Sequence, residues 1–108
     1  MKKLQFDEFL AAIRRGDQNA AEELVRTYEP FIRRIIRMRL TDERLRRIFD
    51  SMDICQSIMA NFFARAAAGQ FNLQTPEQLR NLLVTMAINK LRSKARMERK
   101  YAGSIPEN

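Results

Sequence analysis

The sequence predicts an all-α fold, a compact bundle of four main helices whose last helix projects with a basic half. Apolar residues recur at three- and four-residue steps along most of the chain, the spacing of a helix face turned to a core. Gly and Pro number only three each among 108 residues, too few for the turns of an all-β fold. Ala, Leu, Arg, Glu, Gln and Met dominate, and all are good helix formers.

In chain order, the first helix is expected over Phe6 to Arg15, with Gly16 as its C-terminal cap. Asp17 suits the N-cap of a second helix from Gln18. Its apolar stripe is Ala21, Leu24, Val25, Tyr28, Phe31, Ile32, Ile35 and Ile36, and it runs out near Leu40. Pro30 falls inside, and because the pattern stays in phase across it a kink is expected rather than a break. The charged connector TDERLRRIFDS, Thr41 to Ser51, has room for a short helical turn. Asp50 or Ser51 can cap a third helix over Met52 to Ala68, which Gly69 ends. After the loop GQFNLQ, Thr75-Pro76-Glu77-Gln78 combines an N-cap Thr, a first-position Pro and a Gln placed to close a capping box. The last helix is expected to reach about Lys100. Residues 1–101 then form one domain, and 102–108, with Gly103 and Pro106, a frayed tail or the start of a linker. The six Met residues are read as gap-filling core rather than a ligand groove.

A chain of this length buries roughly 65% of the surface it would expose unfolded, so one core without staples suffices. The single cysteine, Cys55, allows no intrachain disulfide. With no His at all, a metal site is not expected and the commonest general base is missing, so neither an enzyme nor a cofactor is expected. No apolar run approaches the ~20 residues of a membrane span. The opening MKKLQFDEFL lacks the apolar centre of a signal peptide, so a cytoplasmic location is expected. The net charge of +7 favours a polyanionic partner: nucleic acid, an anionic membrane surface or an acidic protein.

Two helices carry unusual faces. On the third, Cys55, Ile58, Met59, Phe62, Phe63 and Ala66 form the apolar stripe. The opposite arc holds Asp53, Gln56, Ser57, Ala60 and Ala64, short side chains where a solvated face would usually carry Glu, Lys and Arg. A partner helix could approach such a face closely. It also reads as a plain exposed face, with Asp53 complementing the helix dipole.

On the last helix Leu79, Leu83, Met86 and Ala87 face the core, with Leu82 and Leu91 at the margins. Lys90 and Lys94 then fall in the sector of Leu83. They cannot continue a buried stripe unless their stems lie at its edge, so the packed body should end near Ala87 to Leu91. The opposite face reads Asn81, Thr85, Ile88, Asn89, Arg92, Arg96 and Arg99, hydrogen-bonding groups passing into guanidiniums. Arg holds phosphate bidentately and stacks on bases, and Asn offers a donor and an acceptor to base edges. A helix end complementing its macrodipole accounts for two or three cations, not for the six from Lys90 to Lys100. A further Arg cluster, Arg33, Arg34, Arg37, Arg39, Arg44, Arg46 and Arg47, either extends the basic surface or is a set of solvated faces.

SMDICQSIMANFFARA, a loop, then LRNLLVTMAINKLRSKAR together resemble the second conserved region of a bacterial extracytoplasmic-function (ECF) sigma factor. In that family a D-[apolar]-x-Q helix precedes a helix carrying an A-R-N-like motif and a basic run. The matches here are Asp53, Ile54 and Gln56, then Ala87, Ile88 and Asn89, then Lys90 to Arg96. GDQNAAEELVRTYEPFIRRI resembles that family's first helices, so the resemblance covers nearly the whole chain.

The resemblance implies a transcription initiation factor domain that binds core RNA polymerase and recognises and helps melt the minus-ten promoter element. Asp53, Gln56, Ser57 and Ala60 would dock on the polymerase clamp helices. Thr85, Asn89, Lys90, Arg92, Lys94, Arg96 and Arg99 would hold the non-template strand of promoter DNA. The loop with Phe71 and Asn72 would help capture a flipped base, Phe71 either stacking on it or plugging the loop onto the core. An anti-sigma factor is an implied regulatory partner. Two departures stand out. The family's second helical domain, which reads the minus-35 element, is not in this sequence, so IPEN is read as the beginning of an interdomain linker. Leu82 or Leu83 stands where a tryptophan is often found. The residues also admit a helical protein-interaction adaptor with a basic helix, or a non-specific RNA-binding domain.

Overall fold

The computed structural model describes the backbone of residues 3–40, 43, 46 and 50–104 and the side chains of 5–40, 43, 46 and 50–97. Its main elements are α1 (Lys3–Arg14), α2 (Gln18–Arg39), α3 (Ser51–Ala67) and α4 (Pro76–Ser104), and no strand occurs among the described residues. The all-α expectation holds, with boundaries that move by a few residues. α1 starts at Lys3 rather than Phe6, and α4 continues past Lys100 to Ser104. Of connector residues 41–49, Glu43 and Arg46 are described, and both are helical.

Each helix end has a local chemical cause. Gly16 and Gly69 sit at φ +79° and +73°, a region that costs residues with a Cβ. Both close the same paired turn: Gly16 N–H donates to Ile13 O while Asp17 N–H donates to Ala12 O, and Gly69 N–H donates to Ala66 O while Gln70 N–H donates to Arg65 O. Asp17 then caps α2, its carboxylate accepting from Ala20 N–H at 3.1 Å. Asp50 caps α3 by accepting from Met52 N–H at 2.9 Å, which settles the choice between Asp50 and Ser51. At α4, Thr75 Oγ1 accepts from Gln78 N–H at 3.2 Å. The return bond of the capping box is displaced by one residue, Gln78 Oε1 accepting from Gln74 N–H at 2.7 Å. α2 passes through Pro30 without a break.

One core joins all four helices. Phe6, Leu10 and Ile13 enter from α1, Leu24, Ile32 and Ile36 from α2, Ile54, Ile58 and Phe62 from α3, and Leu79 and Leu83 from α4. On α2 the stripe is centred on Ala20, Leu24, Ile32 and Ile36, leaving Val25, Tyr28, Phe31 and Ile35 half-buried on its flank. On α3 it is centred one step earlier than expected: Ile54 is buried and Phe63 lies at the margin.

The reading of the methionines as core is corrected in part. Met59 and Met86 are buried, but Met38 and Met97 are 64% and 67% exposed. Both exposed methionines lie among arginines, on helix faces that have already turned away from the core. Met1 lies outside the described residues.

The molecule measures 60 × 25 × 21 Å with a radius of gyration of 16.3 Å. A compact chain of this length would have about 13 Å. The excess follows from α4, whose 29 residues outrun the bundle. Ala87 is its last buried residue among those described, which places the end of the packed body where the lysines predict it. No helix of the described residues is long and apolar enough to cross a membrane.

Candidate nucleic-acid interface

The α4 face opposite the core is exposed at Asn81, Thr85, Asn89, Arg92 and Arg96. Among the described residues neither Arg92 nor Arg96 pairs with a carboxylate, so both guanidiniums stand in solvent. Thr85 is less available than its position suggests, because its hydroxyl donates to Asn81 O in its own helix at 2.9 Å. Lys90 and Lys94 are half-buried at the edge of the core stripe, the arrangement in which an aliphatic stem packs and the ammonium reaches water. The side chain of Arg99 lies outside the described residues.

Asp53, Gln56, Ala60 and Ala64 are exposed along one arc of α3, and Ser57 is half-buried at its edge. None of this arc enters the core. The face is flat because its side chains are short, and Asp53 supplies a carboxylate in the first turn of the helix.

The loop from Gly69 to Gln74 is held from several sides. Phe71 stacks on Phe62, ring centroids 5.4 Å apart and planes 10° from parallel. The Arg65 guanidinium lies 4.8 Å from the Phe71 centroid, while Arg65 Nε donates to Gln70 Oε1 at 3.0 Å. Arg14 donates to Phe71 O at 3.3 Å, tying the loop to α1. Of the two readings of Phe71, its ring geometry matches the plug. Asn72 is exposed, its side-chain oxygen accepting from Gln74 Nε2 at 2.7 Å.

The structure brings together residues that the sequence reading keeps apart. α3 and α4 pack side by side, and a cleft of about 240 Å³ opens between them. Ser57, Asn61 and Arg65 line it from α3, and Asn89, Lys90 and Ser93 from α4. Ile58 and Met86 form its apolar floor. Ser57, from the flat face, and Asn89, from the basic helix, thus share one cleft. Asn61, Arg65 and Ser93 line this cleft and are not among the candidate residues that the sequence singles out. The signal for the α3 pair is a polar stripe, Ser57-Asn61-Arg65, at four-residue spacing.

The α2 cluster divides. Arg34, Arg37 and Arg39 are exposed. Arg33 is half-buried and pairs with Glu29 at 3.8 Å. Arg46 donates through Nε to Leu40 O, closing the end of α2. Arg44 and Arg47 lie outside the described residues.

No curated protein and no solved structure gave a match to the chain. A family model did: the one described as ECF sigma factor matches residues 3–102, all four helices included up to the last turn of α4. This chain therefore belongs to the ECF sigma factor family, a family of transcription initiation factors.

Proposed function

We propose that this domain docks on the clamp helices of core RNA polymerase through α3 and holds the melted non-template strand of the minus-ten element along α4. The observation that carries the reading is the exposed stripe of Asn89, Arg92 and Arg96 on a helix running past Ala87, its last buried residue among those described. Among the described residues neither Arg92 nor Arg96 has a carboxylate partner, so no ion pair there need be broken before they meet phosphate. Lys90 and Lys94 add charge at the base of the arm, and Arg99 continues the same face toward its tip. In the loop Phe71 acts as the anchor and Asn72 as the group that meets the strand. The work is binding rather than bond-making: favourable contacts to the open strand offset the few kcal/mol that each unstacked base costs to expose. The setting is the cytoplasm, where the polymerase operates.

Asp53, Gln56, Ser57 and Ala60 form the polymerase contact, which their short side chains and outward placement support. Co-purification with core RNA polymerase tests it, because neither an adaptor for an acidic protein nor a general RNA binder would be retained. Asp53→Ala is expected to reduce that retention by about tenfold, the scale of one charge-assisted hydrogen bond. Helical content should stay the same, since Asp53 is exposed. Full retention by the variant would remove α3 from the docking role.

A further inference from the structure

A groove of about 450 Å³ lies where the first half of α2 meets Phe63 of α3. Its half-buried members, Ala21, Val25 and Phe63, are apolar, and its exposed members, Gln18, Glu22 and Arg26, are polar. The Phe63 ring is set edge-on to Phe62, centroids 5.8 Å apart and planes at 67°, so one wall is a fixed aromatic face that the bundle leaves partly uncovered. A second apolar feature stands on α4. Met97 comes eighteen residues, about five turns, after Leu79, so it faces the same way as the buried stripe of Leu79, Leu83 and Met86. The packed body has ended by then, and Met97 is exposed. The two features differ in charge. From Gln5 to Arg26 five carboxylates stand against three guanidiniums, whereas from Lys90 to Lys100 six cations stand against Glu98 alone. Among the described residues Glu22 and Glu23 have no cation partner and Arg96 has no carboxylate partner.

We propose that the groove between α2 and Phe63 receives the α4 arm of a second copy of this chain, Met97 entering between Val25 and Phe63 and Arg96 meeting Glu22 at the rim. An apolar side chain in phase with a core stripe but with no core beneath it suits the anchor of a helix laid in a groove. The arm belongs to another copy because α4 is one unbroken helix through Ser104, so Met97 cannot turn back onto the groove of its own chain. From Ala87 to Met97 the helix advances about 15 Å, enough to carry the anchor clear of its own bundle. Opposite charge at groove and arm draws two copies together and sets which end meets which. Two copies that exchange arms fill both grooves and close as a symmetric pair. The pair covers the stripe that the strand contact uses, so association and strand binding exclude each other, while the contact itself does not depend on that reading.

Sedimentation equilibrium of the full chain in low salt should show the average mass rising from monomer toward dimer between roughly 10 µM and 1 mM, the range open to a contact at the small end of protein interfaces. Over the same range the Met97 methyl and Phe63 ring resonances should shift with concentration. Glu22→Lys and Arg96→Glu, both at exposed positions outside the core, should each hold the protein at monomer mass. Their equimolar mixture should regain the association of the parent, because every mixed contact again brings opposite signs together. That recovery also shows that neither variant has lost its fold. A parent that stays monomeric overturns the proposal and leaves the groove to another protein. Association that both variants keep, or a mixture that stays monomeric, overturns it as well. So does association in which the Met97 and Phe63 resonances stay in place, since another face then joins the copies.

Discussion

At Cys55 the apolar core determines a titration. The side chain is buried beside Ile54, Ile58 and Met59, and burial pushes its thiol from 9.0 up to about 11, with Glu29 adding to the shift and Arg33 opposing it. Below pH 9 folded and unfolded chains both hold the proton, and the stabilisation is complete. Between that value and about 11 the unfolded chain ionises while the folded one does not, so stability falls as pH rises, by on the order of 3 kcal/mol. Tyr28, raised mainly by burial, acts in the same direction. Urea unfolding at a series of pH values should therefore show a shallower alkaline decline for Cys55→Ala than for the parent. Identical slopes would mean that the thiol is not held neutral by the core. Other residues show how far side-chain identity can be read without coordinates. Asp17 and Thr75 announce their roles, because a cap needs only local partners. Phe71 does not, because an aromatic in a loop can turn either way until its neighbours are known, and here Phe62 and Arg65 occupy it.

At the scale of the elements, helix type and number follow from spacing, while the ends follow from glycine and capping chemistry. Gly69 makes the clearest case. A Cβ built there would meet nothing within 4 Å, so Gly69→Ala should cost only the backbone strain of its positive φ, about 1–2 kcal/mol. The midpoint of urea unfolding should fall accordingly, and an unshifted midpoint would show that the α3 terminus does not need the left-handed turn. The same turn launches the segment that delivers Phe71 to Phe62, so the cap and the loop anchor belong to one device. The centres of the buried stripes were harder to read. Ala20 and Ile54 are core and Phe63 is margin, because a neighbouring helix, not the period, decides which side of an apolar arc is covered. The cleft between α3 and α4 lies beyond single-element reasoning for the same reason: each wall has a legible polar stripe, but their meeting depends on the packing of two helices.

At the scale of the whole molecule, one bundle supports two exposed faces of different character. The short-chained arc of α3 and the basic stripe of α4 both escape the core, and the cleft joins their edges. The projecting helix was visible in the sequence because Lys90 and Lys94 interrupt an apolar stripe, and an interrupted stripe cannot stay buried. The long axis of 60 Å is the physical consequence. Charge is unevenly placed as well, with the carboxylates Glu22 and Glu23 in the first half of α2 and Arg34, Arg37 and Arg39 in the second. The most direct test of the arm is the salt dependence with which the complex of this protein and core RNA polymerase binds a single-stranded minus-ten oligonucleotide. Replacing both Arg92 and Arg96 by Ala should flatten the log–log slope by about 1.4, or roughly 0.7 for each phosphate no longer neutralised. A slope identical to that of the parent would contradict the account, because α4 would then carry its guanidiniums past the core without setting them on the strand.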